Sequence, residues 1–459
     1  MEERSLKFIA DASAAEIRSG AGELKIKNIC TDSRLAKVGD VFFAIKGEKF
    51  DGHKFVDEVA AKGVAVVVVE KSKVQSSKCA LLTVADVRVA LGKLAAAYRK
   101  DFSLPVVVVG GSNGKTTTKE MLACILRQKF STLWSEASFN NDIGVPMTLL
   151  RLAKTHQAAV LEAGTNHPGE LAPLVKMIAP KFGIITNIGR EHLEFFGDVA
   201  GVAQEEGWLA ELLPADGKLF VNGDNAWTEK IAARTQAKIV RVGLGEKNDW
   251  RAKKIRLDKN GVTFQVEAPT AELSGEYRIN LLGRHQVTNA LLAMAAGAEL
   301  GLSRAEIQRG LNENKPAKMR LQFWEANGVR VLDDAYNANA DSVIAALETL
   351  CDLPLQGRRV AILGDMAELG EHSAAAHAEV GKRAGELGIG QLFAVGKMAA
   401  VTAQAARDAG LTRVVEFADV EMAVTAVRKF LKTGDVVLLK ASRSSRLERI
   451  AETLRSEKS

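Results

Sequence analysis

The sequence predicts an α/β fold in three units: a small α/β N-terminal domain over 1–84, a central domain with a parallel sheet and a P-loop-type connection over 85–314, and a Rossmann-like, doubly wound C-terminal domain over 315–459. Three observations predict it. The chain has 459 residues, which at ~150 residues per domain is about three domains. Short apolar runs alternate with helical stretches, as in a parallel sheet covered by helices. A glycine-rich loop lies between one such run and a helix, the setting of a phosphate cradle.

In the first unit, Val41–Ile45 and Val64–Val69 are the apolar runs, and Gly39-Asp40, Gly47 and Asp51-Gly52 supply turns. Val87–Tyr98 predicts a helix that serves as a connector toward Pro105. In the central unit, Pro105–Val109 has the pattern of a buried strand, and a helix starts at Lys115. Ala158–Leu161 and Phe182–Thr186 predict further strands, and residues 236–282, which alternate in short segments around Asn260-Gly261, predict a β-rich insert. In the last unit, strands are expected at Val329–Leu332, Arg359–Leu363, Leu392–Val395, Val414–Phe417 and Val436–Leu439, with helices between them.

Composition narrows the function classes. Apolar residues make up 47% and charged residues 26%, ordinary for a folded protein. Sixty-two Lys and Arg against 56 Asp and Glu leave a net charge of +6. With no dense basic run and 5% aromatics, a nucleic-acid groove is not expected; anionic small substrates fit. Cys30, Cys79, Cys124 and Cys351 lie far apart with no Cys-x-x-Cys pair, which argues against zinc and a disulfide framework. The opening MEERSLKFIADASAAEIRSG has no signal-type apolar core, and no run approaches the ~20 residues of a membrane span. A cytoplasmic protein without membrane insertion is expected.

The chemistry-bearing motifs come in order. In Gly111-Ser112-Asn113-Gly114-Lys115-Thr116-Thr117, glycines let backbone N–H groups approach a phosphate, Lys115 can reach β/γ-phosphates, and the Thr116 hydroxyl can ligate Mg2+. Val109 stands at the first glycine of the strict pattern, so a chance Gly-Lys-Thr in a turn is the bland alternative. Glu162 ends the strand Ala158–Leu161, where a carboxylate can hold Mg2+ directly or through water; alone it would be a solvated strand end. The loop Thr186–Glu194 follows another strand and carries His192, which could ligate a second metal, contact a phosphate, or simply meet water.

These anchors in this order resemble the Mur ligase family of ATP-dependent amide-forming enzymes. Further similar stretches are Thr31-Asp32-Ser33-Arg34, Gly39–Ala44 and Phe50–His53 near the start, and Asn140–Pro146 and Glu162–Glu170 in the middle. Asp334–Asn339 and Leu363–Gly370 follow late in the chain. The resemblance implies ATP and Mg2+ as cofactors, and UDP-N-acetylmuramoyl-tripeptide and D-alanyl-D-alanine as substrates, handled by a monomer. The three domains would then bind the UDP-sugar, bind ATP, and complete the ligase. ATP would meet Gly111 to Thr117, with Ser112, Asn113 and Gly114 in the loop, His285 and Asn289 near the adenine, Arg320 at the γ-phosphate and Asp334 at the ribose. Thr116, Glu162 and His192 would hold metal. Ser33, Arg34, Asn140, Asn141, Tyr336, Asn337 and Asn339 would meet substrate. Lys115, Glu162, His192, Glu206 and Arg320 would be catalytic.

Departures accompany the resemblance. Glu206 stands where the family carries a carbamylated lysine, and it is expected to reach Mg2+ through water on its shorter stem. Ala137-Ser138, Ala340 and Ala441 replace the family's usual Gly-Asn, Pro and Gly. Domain closure is expected, with hinges near 84–104 and 312–320. The rivals are a folate-polyglutamating ligase of the same superfamily and a catalytically weak nucleotide-binding scaffold.

Overall fold

The computed structural model describes residues 1–47, 50–73 and 79–456, and it contains three predominantly parallel sheets. Their centres are the apolar runs. Val106, Val107, Val108 and Val109 have no exposed surface, because this strand lies in mid-sheet with helices on both faces. Burying each valine contributes roughly 1.5–3 kcal/mol.

The N-terminal sheet runs Glu16–Ser19, Ala80–Val84, Val66–Glu70, Val41–Phe43, Ile29–Cys30, with only the first pair antiparallel. The helix Val87–Arg99 follows, started by the Asp86 carboxylate, which accepts from the Val89 N–H at 2.8 Å. It is a packed wall and not the simple connector expected. It lies against Leu6–Ser13 on one side and Gly144–Leu149 and Leu171–Ile178 on the other. Its buried Tyr98 donates to the Leu152 carbonyl at 2.6 Å and accepts from the Glu2 N–H at 2.7 Å.

The central sheet has nine strands. In spatial order Thr132–Trp134, Ala158–Glu162, Val106–Gly110, Phe182–Ile185, Lys218–Asn222 and Lys238–Gly243 are parallel. Residues 236–282 are therefore not an insert. They lengthen the same sheet, which ends in the antiparallel strands Trp250–Asp258, Gly261–Glu267 and Gly275–Ile279. Alternation marks a strand with one wet face but does not say which sheet it joins. The helix Arg304–Glu313 covers the open edge. From it, the Gln308 side chain accepts from the Arg278 N–H at 3.0 Å and donates to the Arg278 carbonyl at 2.9 Å.

The C-terminal sheet runs Gln322–Ala326, Val329–Asp334, Val436–Lys440, Arg359–Gly364, Gln391–Val395, Val414–Phe417. All neighbours are parallel except the first pair, an unexpected hairpin turned by Asn327-Gly328 with both residues at positive φ. One apolar cluster runs from Val41 through Leu94 and Leu161 to Leu438, so the three units share a core. The strands ending at Gly110, Glu162, Ile185, Asp334 and Lys440 deliver their loops to one cleft, as expected at the carboxyl ends of parallel strands.

Candidate active site

The glycine-rich loop is the floor of this cleft, whose volume is about 480 Å3. Gly111 and Gly114 have φ of +105° and +86°. A Cβ on Gly111 would lie 2.4 Å from Thr186 Oγ1, and one on Gly114 would lie 2.4 Å from Asn289 Oδ1. Only glycine fits both the backbone and the space. The neighbouring loop fixes the cradle from the side. Asn187 accepts from the Ser112 N–H through its carbonyl and from the Asn113 N–H through Oδ1, at 2.9 and 2.8 Å, and Ser112 Oγ accepts from the Gly189 N–H at 2.9 Å. The helix Lys115–Leu126 then begins with free N–H groups and a positive end toward the cleft.

Lys115 Nζ donates to the carbonyls of Gly111 and Ser112 and, at 3.3 Å, to Glu191 Oε2. Burial opposes its charge, but the nearby carboxylates, Glu191 foremost, outweigh it and hold the Lys115 pKa above its ordinary value. The ammonium is therefore charged and ready for an anion. Glu191 is nearly buried and went unassigned in the sequence reading. Its neighbour His192 carried the only titratable signal noticed in that loop.

Glu162 is buried at its strand end, with Oε1 accepting from Asn140 Nδ2 at 2.9 Å. Its Oε2 has no partner, nor does the buried Thr116 Oγ1 lining the same cleft. Such orphans are costly unless a ligand completes them. Among the described residues no cluster of three His, Cys, Asp or Glu side chains could hold a metal. A hydroxyl and a carboxylate oxygen, completed by ligand oxygens and water, are a donor set for Mg2+. The residues present fit that ion. His192 bonds through Nδ1 to the Glu368 carboxylate and keeps Nε2, 3.9 Å from Glu191 Oε2, on the cleft side.

The C-terminal unit forms the opposite wall. The Arg320 guanidinium stacks 4.3 Å over the Tyr336 ring and reaches to 3.5 Å from Ser138 Oγ. Asp334 pairs with buried Lys440 at 2.7 Å, and Lys440 also donates to the Asn337 carbonyl at 2.8 Å. Lys440 was missed although Ala441 beside it was marked, because a lysine ending an apolar strand does not show which carboxylate it meets. Asn339 starts the helix Ala340–Asp352 and donates from Nδ2 to Asn113 Oδ1 at 3.0 Å. Asn141 Oδ1 accepts from the N–H groups of Ile143 and Gly144, so its amide shapes the loop as well as lining the cleft. Across the seam, Arg190 pairs with Asp341 and Glu379, a clamp whose partners lie more than 100 residues away in sequence.

Ser112, Asn113, Gly114, Thr117, His285, Asn289, Asn140 and the C-terminal residues above thus line one cleft. Four expected residues do not. Ser33 and Arg34 sit in the N-terminal unit, where Arg34 is exposed and its pairing with Asp32 holds that carboxyl down at about 2. Gly111 lies behind the cleft surface, its N–H turned to Glu206 Oε2 at 2.7 Å. Glu206 is completely buried beneath the loop. The shorter stem sets one carboxylate oxygen on the loop backbone and leaves the other, Oε1, buried without a partner. Burial pushes its pKa up, with Lys115 pulling the other way. The adjacent Glu205 caps Leu171–Ile178, accepting from the Gly169 and Leu171 N–H groups at 2.9 and 2.8 Å.

Known proteins share this fold and much of this sequence. The chain matches the Mur ligase middle domain over 109–297, the Mur ligase glutamate ligase domain over 319–443 and the Mur ligase family catalytic domain over 25–99. It is 37% identical over 458 residues to the UDP-N-acetylmuramoyl-tripeptide–D-alanyl-D-alanine ligase of Escherichia coli K12, covering 98% of each chain. It is similar to the crystal structure of MurF from Acinetobacter baumannii, with a TM-score of 0.91, 34% identity, and 99% and 100% of the two chains covered. MurF ligase from Thermotoga maritima in complex with ADP matches with a TM-score of 0.80 and 28% identity over 94% and 97% of the two chains.

Proposed function

The chain belongs to the Mur ligase family, and from that premise we infer an ATP-dependent, ADP-forming ligase that adds D-alanyl-D-alanine to UDP-N-acetylmuramoyl-tripeptide in peptidoglycan precursor synthesis. One observation carries the reading: a phosphate loop, orphaned hard oxygens and a cationic opposite wall converge on a single cleft between two units.

The γ-phosphoryl group of ATP moves to the terminal carboxylate of the tripeptide, giving an acyl phosphate and ADP. The amine of D-alanyl-D-alanine attacks the acyl carbon. The tetrahedral intermediate loses a proton and expels phosphate, leaving the amide. An anionic carboxylate must approach an anionic phosphate, so the site must supply positive charge. Lys115 and the helix start behind it meet the β/γ-phosphates. Arg320, stacked and so pre-set in direction, meets the γ-phosphate from the other wall. Thr116 and Glu162 would hold Mg2+, which would supply further charge neutralisation, and His192 would add a ligand or a hydrogen bond. Gly111 to Thr117 cradle the phosphates, while His285 and Asn289 lie by the adenine and Asp334 by the ribose. Asn140, Asn141, Tyr336, Asn337 and Asn339 orient the two substrates, and Ser33 and Arg34 receive the UDP end. Closure over 315–459 keeps water from the acyl phosphate.

Glu206 acts from under the loop, one oxygen on the Gly111 N–H and the other unpartnered below Lys115. Among the described residues no helix is long and apolar enough to cross a membrane. A cytoplasmic monomer completes the proposal.

Phosphate release from ATP, with UDP-N-acetylmuramoyl-tripeptide and D-alanyl-D-alanine supplied singly and together, tests it. Release requiring both, with the pentapeptide product seen by mass spectrometry, is expected. ATP binding without release under any combination would overturn it.

A further inference from the structure

A lysine with no exposed surface lies one turn beyond Lys115. Lys119 ranks among the largest fully buried side chains, a position lysine rarely takes without full compensation. An ammonium has three hydrogens to place. Those of Lys119 go to Glu120 Oε1 at 2.6 Å, the Ser135 carbonyl at 2.7 Å and the Ala137 carbonyl at 2.8 Å. Two of the three acceptors are backbone atoms of the loop between Thr132–Trp134 and Gly144–Leu149. That loop supplies Ser138, Asn140 and Asn141 to the cleft.

The loop needs such a hold. Ala137 has φ +46°, a left-handed conformation unfavourable for a residue with a Cβ. Exposed ion pairs join Glu136 to Arg151 and Asp142 to Arg88, Arg320 reaches Ser138 from the C-terminal unit, and the buried anchors come from the strand beside the cleft. Ser135 Oγ accepts from the Glu162 N–H at 3.1 Å, the Asn140 carbonyl accepts from the Gly164 N–H at 2.9 Å, and Asn140 Nδ2 donates to Glu162. Among the described residues, the hydrogen bonds that tie the loop to the helix whose first turn carries Lys115 and Thr116 are those of Lys119.

We propose that Lys119 is a positioning residue. It holds Ser138 and Asn140 in register with the phosphate-binding helix, so the acid substrate is presented to the γ-phosphate only when loop and helix are locked together. It touches neither nucleotide nor substrate. The Glu120 carboxylate compensates the ammonium, and the two carbonyl bonds hold the loop. This rests on the ligase reading above.

Lys119→Met keeps the stem and removes the donors. Ala137→Val, exposed and away from the core, strains the same loop without touching Lys119 and guards against a Lys119 variant that fails to fold. For both, the expected result is a kcat reduced at least tenfold and a KM for UDP-N-acetylmuramoyl-tripeptide raised at least fivefold, with the Kd of a non-hydrolysable ATP analogue within twofold of the parent. Amide hydrogen exchange over 135–145 should rise in both. Glu120→Gln should leave the split unmoved. Equal losses of nucleotide affinity and acid-substrate KM, unchanged kinetics in folded variants, or unchanged exchange in the loop would each overturn the proposal. A parent with no two-substrate activity would instead overturn the ligase reading, and the exchange measurement would still judge the loop.

Discussion

The two walls of the cleft are built on opposite plans. On the central wall Thr116 Oγ1, Glu162 Oε2 and Glu191 Oε1 are buried without partners. On the C-terminal wall Asp334 pairs with Lys440, Lys440 bonds the Asn337 carbonyl and Asn339 caps its own helix, while Asn339 also reaches across to Asn113. The first wall is unfinished until a charged ligand arrives. The second carries its buried ion pair ready-made and meets the first through Asn339, the Arg190 clamp and Glu368. A site that must bind a nucleotide and then shut benefits from this division, because only one wall bears the cost of unmet polarity.

Substitutions on the two walls should therefore differ in kind. Lys115→Ala removes the charge at the phosphates, and kcat should fall by ~10²–10³-fold or more, read as phosphate release. Glu162→Gln keeps shape but not charge; the Mg2+ concentration for half-maximal activity should rise at least about tenfold, seen in a magnesium titration. Arg190→Ala cuts the seam between the walls. Half-exposed pairs are worth about 0.2–1 kcal/mol each, so kcat/KM should drop only ~2- to 30-fold while small-angle scattering shows a wider particle. A loss as large as that of Lys115→Ala would mean that the seam is part of the chemistry.

The smallest effect belongs beneath the central wall. Burial holds the Glu206 carboxyl up at about 8, against an ordinary 4.5. Below the lower value both states are protonated and nothing is lost. As pH rises from there through 8 the unfolded chain ionises freely and the folded one does not, so the fold loses stability. Glu206→Gln removes this term. Its melting temperature relative to the parent should rise between pH 5 and pH 9, by ~2–4 °C for each kcal/mol relieved. A flat difference would mean that Lys115 keeps the carboxylate ionised in the fold.

What the sequence made legible follows from range. Strands such as Val106–Gly110 and Val436–Lys440 show themselves through consecutive β-branched and aliphatic residues, and Gly111–Thr117 through a strand-loop-helix pattern confined to a few residues. Arg190, Lys440 and Lys119 are different. Each takes its meaning from partners on other strands, helices or loops, and a lone cation on a helix or at a strand end has no local mark. Glu206 is the converse: residue type and helix position were readable, but its bond to the Gly111 N–H, 95 residues away, was not. The Asn327-Gly328 hairpin was readable and overlooked, since Asn-Gly between apolar runs is a strong local turn signal.

The amide of Gln308 ends the nine-stranded sheet. By accepting from one backbone N–H and donating to the same residue's carbonyl, it imitates the next strand while being only a side chain. An edge occupied in this way offers no template for a foreign chain, so the longest sheet of the molecule stops growing at a single residue and stays clear of fibre-like self-association.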